Sequence, residues 1–202
     1  MRAEYRHPNG FYGRMPIGIS LGWNCYSAIK GAELGLRDLK ASGYKTCPFD
    51  EALTNYTGIV ECIKDDFERF FHLDFKEVPE ESLYCSGDTL IWNPHYKFLF
   101  NHESPGHADL WRTQQWAGGK AHYIMNDFAK FKERYSRRID NFRSYLTCGE
   151  PVVFLLTRPD GDLEDLHQAL KGRYPDLQYT IQRFDLERGA DHYYDHLALM
   201  GL

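Results

Sequence analysis

One cysteine, Cys25, lies where an apolar segment gives way to a predicted helix, which is a position suited to a nucleophile. Residues 17–21 are apolar enough to form a short buried strand, and Gly22 permits a tight bend directly after it. This order places Cys25 in the first helical turn, where unpaired backbone N–H groups and the helix dipole favour a thiolate and could stabilise an oxyanion. The alternative is a buried cysteine that serves only as a small hydrophobic residue.

A cysteine nucleophile needs a base that takes its proton, and His102 is the leading candidate. It follows the apolar segment 97–100, and a strand there would aim the imidazole from the edge of a long predicted loop, residues 101–120. His95, in a predicted turn, and His107, within the loop, are the alternatives. Each of these histidines could instead be a surface or structural residue.

A polar group that orients the base would complete such a site, and Asp50 is the candidate. It comes directly after the apolar Phe49. Asp50 could equally be the N-cap of a helix that begins at Glu51. Asp109, in the same loop as His102, is the second candidate for the orienting role.

The spacing of apolar residues predicts the elements that must position these side chains. Helical spacing is found in segments 26–39, 55–71, 124–146, 163–170 and 192–199. Strand character is found in segments 17–21, 90–92, 96–100, 151–156 and 177–184. The strand–helix–strand order from residue 151 to 184 implies a crossover between parallel strands. We therefore expect an α/β (α+β) fold, a mixed sheet with flanking helices, in a single domain over residues 1–202.

The predicted helix 124–146 has a strongly basic face opposite its apolar stripe. The basic residues are Lys130, Lys132, Arg134, Arg137, Arg138 and Arg143. Charged faces are the normal exterior of a surface helix, so we expect a solvated face here rather than an anion site.

Composition indicates a folded globular protein, with 43% hydrophobic and 15% aromatic residues. The formal net charge of -5 gives no electrostatic reason to expect a nucleic-acid partner. Five cysteines at irregular spacings, with no apparent secretory signal, favour a reducing compartment. Because no window approaches the roughly 18 apolar residues that span a bilayer, we expect a soluble, cytoplasmic protein.

Signals for a metal or cofactor are weak. His192 and His196 are four residues apart, but the glutamate that follows the first histidine of a zincin motif is missing. A metal would need at least one further ligand, so we expect no metal site. Residues 118–120 lack the spacing of a phosphate-binding loop and are interpreted as a hinge. We expect no cofactor.

Three sequence blocks, taken in order, resemble those of a known family. The blocks are Ser20-Leu21-Gly22-Trp23-Asn24-Cys25, Pro48-Phe49-Asp50 and, after an aromatic strand, Asn101-His102. An arginine-rich helix around residues 135–142 and an apolar strand that ends at Arg158 extend the likeness over most of the chain. The chain thus resembles a poorly characterised family of papain-like cysteine peptidases. This resemblance implies a papain-related fold and a thiol-dependent site with Cys25 as nucleophile, His102 as base and Asp50 as a third member.

The implied activity is hydrolysis through an acyl-enzyme formed on Cys25, with a peptide, acyl or glycan-linked substrate. The Cys25 backbone N–H and the side chains of Asn24 and Ser20 are the candidates for binding the oxyanion or the substrate. Arg158 could hold an anionic substrate group or belong to an ordinary turn. An acyltransferase or esterase of glycan or surface-polymer metabolism would use the same groups, and a non-catalytic ligand-binding module is the remaining alternative. The sequence does not indicate the oligomeric state.

Overall fold

The fold contains both helices and strands, in a computed structural model that describes residues 4–6, 12–14, 16–77, 89–105, 110–114, 116–157 and 162–184. The strands are β1 (Glu4–Arg6), β2 (Tyr12–Arg14), β3 (Ile17–Ser20), β4 (Asp74–Glu77), β5 (Thr89–Asn93), β6 (Phe98–Phe100), β7 (Val152–Thr157) and β8 (Tyr179–Phe184). The α-helices are α1 (Cys25–Glu33), α2 (Tyr56–Lys64), α3 (Leu110–Thr113), α4 (Met125–Thr147) and α5 (Glu164–Arg173). Short 3-10 turns lie at Lys40–Ser42, Asn101–Glu103 and Gly119–Ala121. The predicted α/β class is confirmed.

A parallel sheet has the order β3-β7-β8, and the loop that follows β3 leads to Cys25 at the start of α1. In the central strand, Val152 pairs with Ile17 on one side and with Tyr179 on the other. The apolar sequence of β7 fits this central place, because a parallel strand is covered on both faces. Helix α5 connects β7 to β8, so the parallel crossover expected from the sequence is confirmed.

An antiparallel sheet has the order β4-β5-β6, and His102 lies in the turn just after β6. The predicted strand pair around the turn at residues 94–97 is confirmed as β5 and β6. Asn93 fixes this turn, because its Oδ1 accepts a hydrogen bond from the Tyr96 N–H (2.8 Å) and its Nδ2 donates to the Phe70 carbonyl (3.0 Å). The parallel and antiparallel strands therefore lie in separate sheets, and β1 and β2 form a third, antiparallel pair.

Some helices end earlier than apolar spacing predicts. Helix α1 ends at Glu33 because Gly35 adopts a left-handed φ of 68°, which continues the chain away from the helix axis. Helix α2 ends at Lys64, since Asp66 and Phe67 have positive φ values of 54° and 66°. The predicted helix 192–199 lies outside the described residues. None of the helices in the described part of the chain combines the length and the apolar character that a membrane span requires.

Part of the basic face of α4 is buried, contrary to the sequence expectation. Arg138 is almost fully buried and contacts the carboxylates of Glu51 and Glu103. Arg134 donates from Nε to Glu103 Oε1 (2.9 Å) and from Nη2 to Glu51 (3.4 Å). The expectation of a wholly solvated face is wrong for these two arginines, because acidic residues from two other segments reach the same side of α4.

A cluster of aromatic rings fills the core and contacts both sheets. The ring of Phe49 belongs to this cluster and is fully buried. Its centroid is 5.9 Å from those of Phe67 and Phe98 and 5.7 Å from that of Phe142. These contacts anchor the segment that carries the predicted Asp50 against α4 and the antiparallel sheet.

We expect Phe49→Ala to lower the free energy of unfolding by about 3–5 kcal/mol, because the truncated side chain leaves a cavity that the surrounding rings cannot close. Urea denaturation followed by circular dichroism measures this change. Phe75→Ala is the matched control, since Phe75 is 53% exposed and its truncation should change the free energy of unfolding by no more than about 0.5 kcal/mol. Equal losses in the two variants would contradict the central packing role of Phe49.

Gly22, directly after β3 and Leu21, has a φ of 87°, and a Cβ there would lie 2.1 Å from Thr54 Oγ1. Gly35 also has a positive φ, but a Cβ there meets nothing within 4 Å. We expect Gly35→Ala to cost roughly 1–2 kcal/mol from backbone strain alone. Gly22→Ala should cost about 1–3 kcal/mol more, since the overlap with Thr54 adds to the strain. Thermal and urea unfolding measure the free energy of unfolding that each variant loses. Equal losses in Gly22→Ala and Gly35→Ala would show that the close approach of Thr54 does not constrain residue 22.

Candidate active site

The loop between β3 and α1 places Cys25 at the first position of the helix. Asn24 adopts an extended conformation, and its Oδ1 accepts a hydrogen bond from the Tyr26 N–H at 2.7 Å. This is the N-cap interaction that asparagine favours, and it starts α1 at Cys25. The predicted position of the thiol in the first helical turn is therefore confirmed. Because Oδ1 is occupied by the cap, the Nδ2 amide is the part of Asn24 suited to donate to an oxyanion.

A closed ring of hydrogen bonds holds the same loop from behind. The Gly22 N–H donates to Ser20 Oγ (3.1 Å), Ser20 Oγ lies 2.7 Å from Ser27 Oγ, and Ser27 Oγ donates to the Gly22 carbonyl (2.7 Å). Both serines are fully buried. Ser20 was expected to bind the substrate or the oxyanion, but the structure engages its hydroxyl inside the loop. Its role here is to fix the loop that precedes Cys25.

His102 is brought toward this loop by the segment that contains Leu53 and Thr54. Leu53 exchanges two backbone hydrogen bonds with Leu99 of β6, at 2.8 Å and 2.9 Å. The N–H of Thr54 donates to the Trp23 carbonyl at 2.8 Å. The strand that precedes His102 and the loop that precedes Cys25 are thus fastened to consecutive residues of one segment.

Cys25 and His102 line one cleft with a volume of about 700 Å³. The charged residues that also line it are Glu33, Arg37, Lys40, Asp50 and Glu51. The three sequence blocks that carry Cys25, Asp50 and His102 therefore meet at a single place. His95 lies elsewhere, where its Nε2 is 2.9 Å from Glu61 Oε1. The remaining candidates, His107, Asp109 and Arg158, lie outside the described residues.

The turn that carries His102 is anchored by the buried carboxylate of the next residue, Glu103. Its Oε2 accepts a hydrogen bond from the Tyr135 hydroxyl (3.0 Å), and its Oε1 accepts one from Arg134 Nε (2.9 Å). Burial raises the pKa of Glu103, while the guanidinium groups of Arg138 and Arg134 oppose that rise. Helix α4 therefore holds the His102 turn through charged side chains.

Asp50 is buried, and its carboxylate oxygens are occupied by three donors. They accept hydrogen bonds from Cys47 N–H (2.7 Å), Arg37 Nη2 (3.1 Å) and the Tyr44 hydroxyl (3.3 Å). The Arg37 guanidinium also stacks over the Tyr44 ring, 3.9 Å from its centroid. Burial raises the pKa of Asp50, whereas Arg37 and the Cys47 N–H lower it. These contacts make Asp50 the centre of a buried polar cluster on one wall of the cleft.

Glu51 is an acidic residue of the cleft that no sequence motif marks as functional. Its carboxylate accepts hydrogen bonds from Lys40, Arg138 and Arg134. Burial would raise the pKa of Glu51, but the Arg138 guanidinium and Lys40 bring it to about 2. Glu51 is therefore ionised at neutral pH, and it carries a negative charge beside His102.

The protonation of Cys25 and His102 follows from burial and from this charge. Burial raises the pKa of the Cys25 thiol, its own backbone N–H opposes the rise, and the Glu51 carboxylate adds to it. Burial lowers the pKa of His102, and Glu51 opposes that change. The resting pair is thus a thiol and a neutral imidazole. Desolvation of the charged form thus opposes the preference for a thiolate that we expect at a helix N-terminus, and the Cys25 backbone N–H retains part of that preference.

Comparison with known proteins adds a family to this geometry. None of the curated proteins and none of the solved structures matches the chain. The sequence does match one protein family over residues 17–182, a range that runs from β3 into β8 and includes Cys25, Asp50 and His102. Because this match covers most of the chain, the protein belongs to the family described as putative papain-like cysteine peptidase (DUF1796).

Proposed function

We propose that the protein is a cysteine-dependent hydrolase that cleaves an amide or ester bond through a thioester on Cys25, with the whole chain as one catalytic domain. The observation that carries this proposal is the meeting of Cys25 and His102 in one cleft, although they follow strands of different sheets. Membership of a family of papain-like peptidases supports the same chemistry. Cys25 is the nucleophile, and His102 is the general base.

The neutral state of the resting pair sets the order of proton transfer. His102 takes the thiol proton as Cys25 Sγ bonds to the substrate carbonyl carbon. The oxyanion that forms accepts hydrogen bonds from the Cys25 backbone N–H and from Asn24 Nδ2. The imidazolium then gives its proton to the leaving group, which departs as the thioester forms. Water, deprotonated by His102, attacks the thioester and releases the acid and the free thiol.

Glu51 stabilises the positive charge that develops on His102 during this proton transfer. The carboxylate raises the pKa of His102 and also that of Cys25, so it opposes a free thiolate and favours the imidazolium. Asp50, expected from the sequence as the third member, is instead assigned to hold Arg37 and the residue 44–47 segment in place. Glu51 therefore supplies the negative charge that stabilises the His102 imidazolium, and Asp50 fixes the positions of Arg37, in the wall of the cleft, and of residues 44–47.

The cysteines support a reducing compartment, and we propose a cytoplasmic location. In the described residues, Cys25, Cys47, Cys62 and Cys148 are all free thiols. Disulfides would be the norm for a chain of this cysteine content in an oxidising compartment. A nucleophilic thiol also keeps its reduced form in the cytoplasm.

We expect Cys25→Ser to abolish formation of a covalent acyl-enzyme, because the hydroxyl lacks the nucleophilicity of the thiol. His102→Ala should lower turnover by roughly 10²–10⁴-fold, the usual contribution of a general base. Turnover of a fluorogenic peptide library and of activated esters measures activity, and intact-protein mass spectrometry detects the thioester. Cys148→Ser is the matched control, since this exposed thiol lies away from the cleft and should leave turnover unchanged. Full activity in Cys25→Ser would refute the proposal.

The charge of Glu51 gives a pH-dependent prediction with a definite sign. Glu51→Gln removes a charge that raises the pKa of the Cys25 thiol, so alkylation of Cys25 should begin at lower pH. The same change removes a charge that raises the pKa of His102, so the acid limb of kcat/KM should also move to lower pH, with a lower maximum. Iodoacetamide labelling, resolved at Cys25 by peptide mass spectrometry, and pH–rate profiles measure the two shifts.

The control for this experiment is Glu33→Gln, which removes another carboxylate that lines the cleft. Glu33 contacts Lys30 on the surface of α1, and its removal should move neither profile. Circular dichroism and urea denaturation verify that both variants fold. An unchanged alkylation profile in Glu51→Gln, or an equal shift in Glu33→Gln, would show that Glu51 does not act on the Cys–His pair.

A further inference from the structure

Two large apolar side chains in the wall of the cleft are exposed to solvent. Ile29 is 53% exposed and Leu39 is 57% exposed, and both line the cleft that contains Cys25. Single exposed apolar residues are common on protein surfaces. Two of them facing one cleft beside a nucleophile form a patch that a ligand could cover.

The apolar wall has a direction and a length. Cys25, Ala28, Ile29 and Ala32 are spaced at intervals of three and four residues, so they lie on one face of α1. Because an α-helix rises 1.5 Å per residue, this face extends roughly 10 Å from Cys25 to Ala32. Ala28 and Ala32 have small side chains, so Ile29 and Leu39 are the large apolar side chains of this wall. The result is a trough, formed by these residues and Leu39, that starts at the thiol.

The charged residues of the cleft have charged partners: four of them pair with one another, and Glu33 pairs with Lys30 on the surface of α1. Lys40 pairs with Glu51, and Arg37 pairs with Asp50, so the charged groups of these four cleft residues already have partners. A polar group placed along Ile29 and Leu39 would give up water without gaining a partner from these apolar side chains. An apolar group there would instead remove exposed apolar surface from water.

We infer that Cys25 accepts an apolar acyl group whose carbonyl lies at Sγ and whose chain extends along α1 toward Ala32. This inference rests on the proposed function and names its substrate class. The trough of roughly 10 Å fits an extended chain of about eight carbons, since carbon–carbon bonds are about 1.5 Å long and form a zigzag.

The covalent step is an acyl transfer with a simple balance. Cys25 S–H reacts with R–CO–X, so that the C–X bond breaks, the S–C bond forms and the proton leaves with X as HX. Water then converts the thioester to R–COOH and regenerates the thiol. A fatty acyl ester or a peptide with apolar residues before the scissile bond could supply R–CO.

A series of 4-nitrophenyl esters with straight acyl chains of two to ten carbons tests the length of the trough. The rate of Cys25 acylation, followed by nitrophenolate release and intact mass against a Cys25→Ser baseline, should rise about three- to fourfold per added methylene. The increase should level off at about eight carbons, where the trough ends. Rates that do not depend on chain length would overturn the inference while leaving the proposed function intact.

Three variants locate the chain on the protein. Ala32→Phe should fill the far end and remove the advantage of the eight-carbon ester, with the acetyl ester unaffected. Leu39→Gln should slow acylation by the eight-carbon ester several-fold. Leu34→Gln is the matched control, because Leu34 is 55% exposed in the same segment but does not line the cleft. Equal effects of Leu39→Gln and Leu34→Gln would overturn the inference.

A second substrate distinguishes the two possible sources of the acyl group, a fatty acyl ester and a peptide. A fluorogenic peptide with leucine residues before the scissile bond is compared with the eight-carbon ester in the same variants. Cleavage of the peptide with the same dependence on Ala32 and Leu39 supports the trough and identifies a peptidyl acyl group. Reaction of the straight-chain ester alone supports the trough and identifies a fatty acyl group. Failure of every ester and peptide to acylate Cys25 would instead refute the proposed function.

Discussion

Three backbone hydrogen bonds made by Leu53 and Thr54 determine where the two halves of the site meet. Leu53 pairs with Leu99 in the strand that leads to His102, and Thr54 donates to Trp23 in the loop that leads to Cys25. Neither sheet contains both candidates, so no ladder of strand hydrogen bonds could bring them together. Because backbone groups make these contacts, they depend on the path of the chain and only weakly on the side chains. The segment after Asp50 therefore acts as the bridge on which the rest of the cleft is built.

Charged side chains position helix α4 against the cleft that these backbone hydrogen bonds form. Glu51 and Glu103 belong to the segments that flank the cleft, and both contact Arg134 and Arg138 of α4. Buried charges of this kind stabilise a protein little by themselves, but removal of one partner leaves the other uncompensated. The cluster thus specifies one position of α4 against the cleft. It also leaves Glu51 ionised next to a histidine whose pKa burial has lowered.

Local signals in the sequence were sufficient to predict the elements that precede and carry Cys25 and His102, whereas the long-range contacts around them were not predictable. The apolar run before Gly22 and the strand before His102 are short patterns that act through neighbouring residues, and both are confirmed. Glu51 carries no pattern of its own, since its role arises from Arg138, far along the chain. The inward side of the basic helix was missed for the same reason. Helical periodicity also could not show that Gly35 adopts a left-handed φ and ends α1 early.

Burial and the charge of Glu51 both oppose a free thiolate at Cys25, and an apolar acyl group in the trough would act in the same direction. An apolar acyl group in the trough would exclude more water from the Cys25 thiol, and desolvation already raises its pKa. A free thiolate would then be still less favourable, so Sγ would attack only as its proton moves to His102. Excluding water also weakens the screening between Glu51 and the imidazolium that forms, and the attraction between them grows. A substrate that fills the trough would thus disfavour a free thiolate further. It would also strengthen the charge interaction that supports proton transfer to His102. Both effects favour reaction of Cys25 with a bound acyl group over reaction with solutes that leave the cleft open.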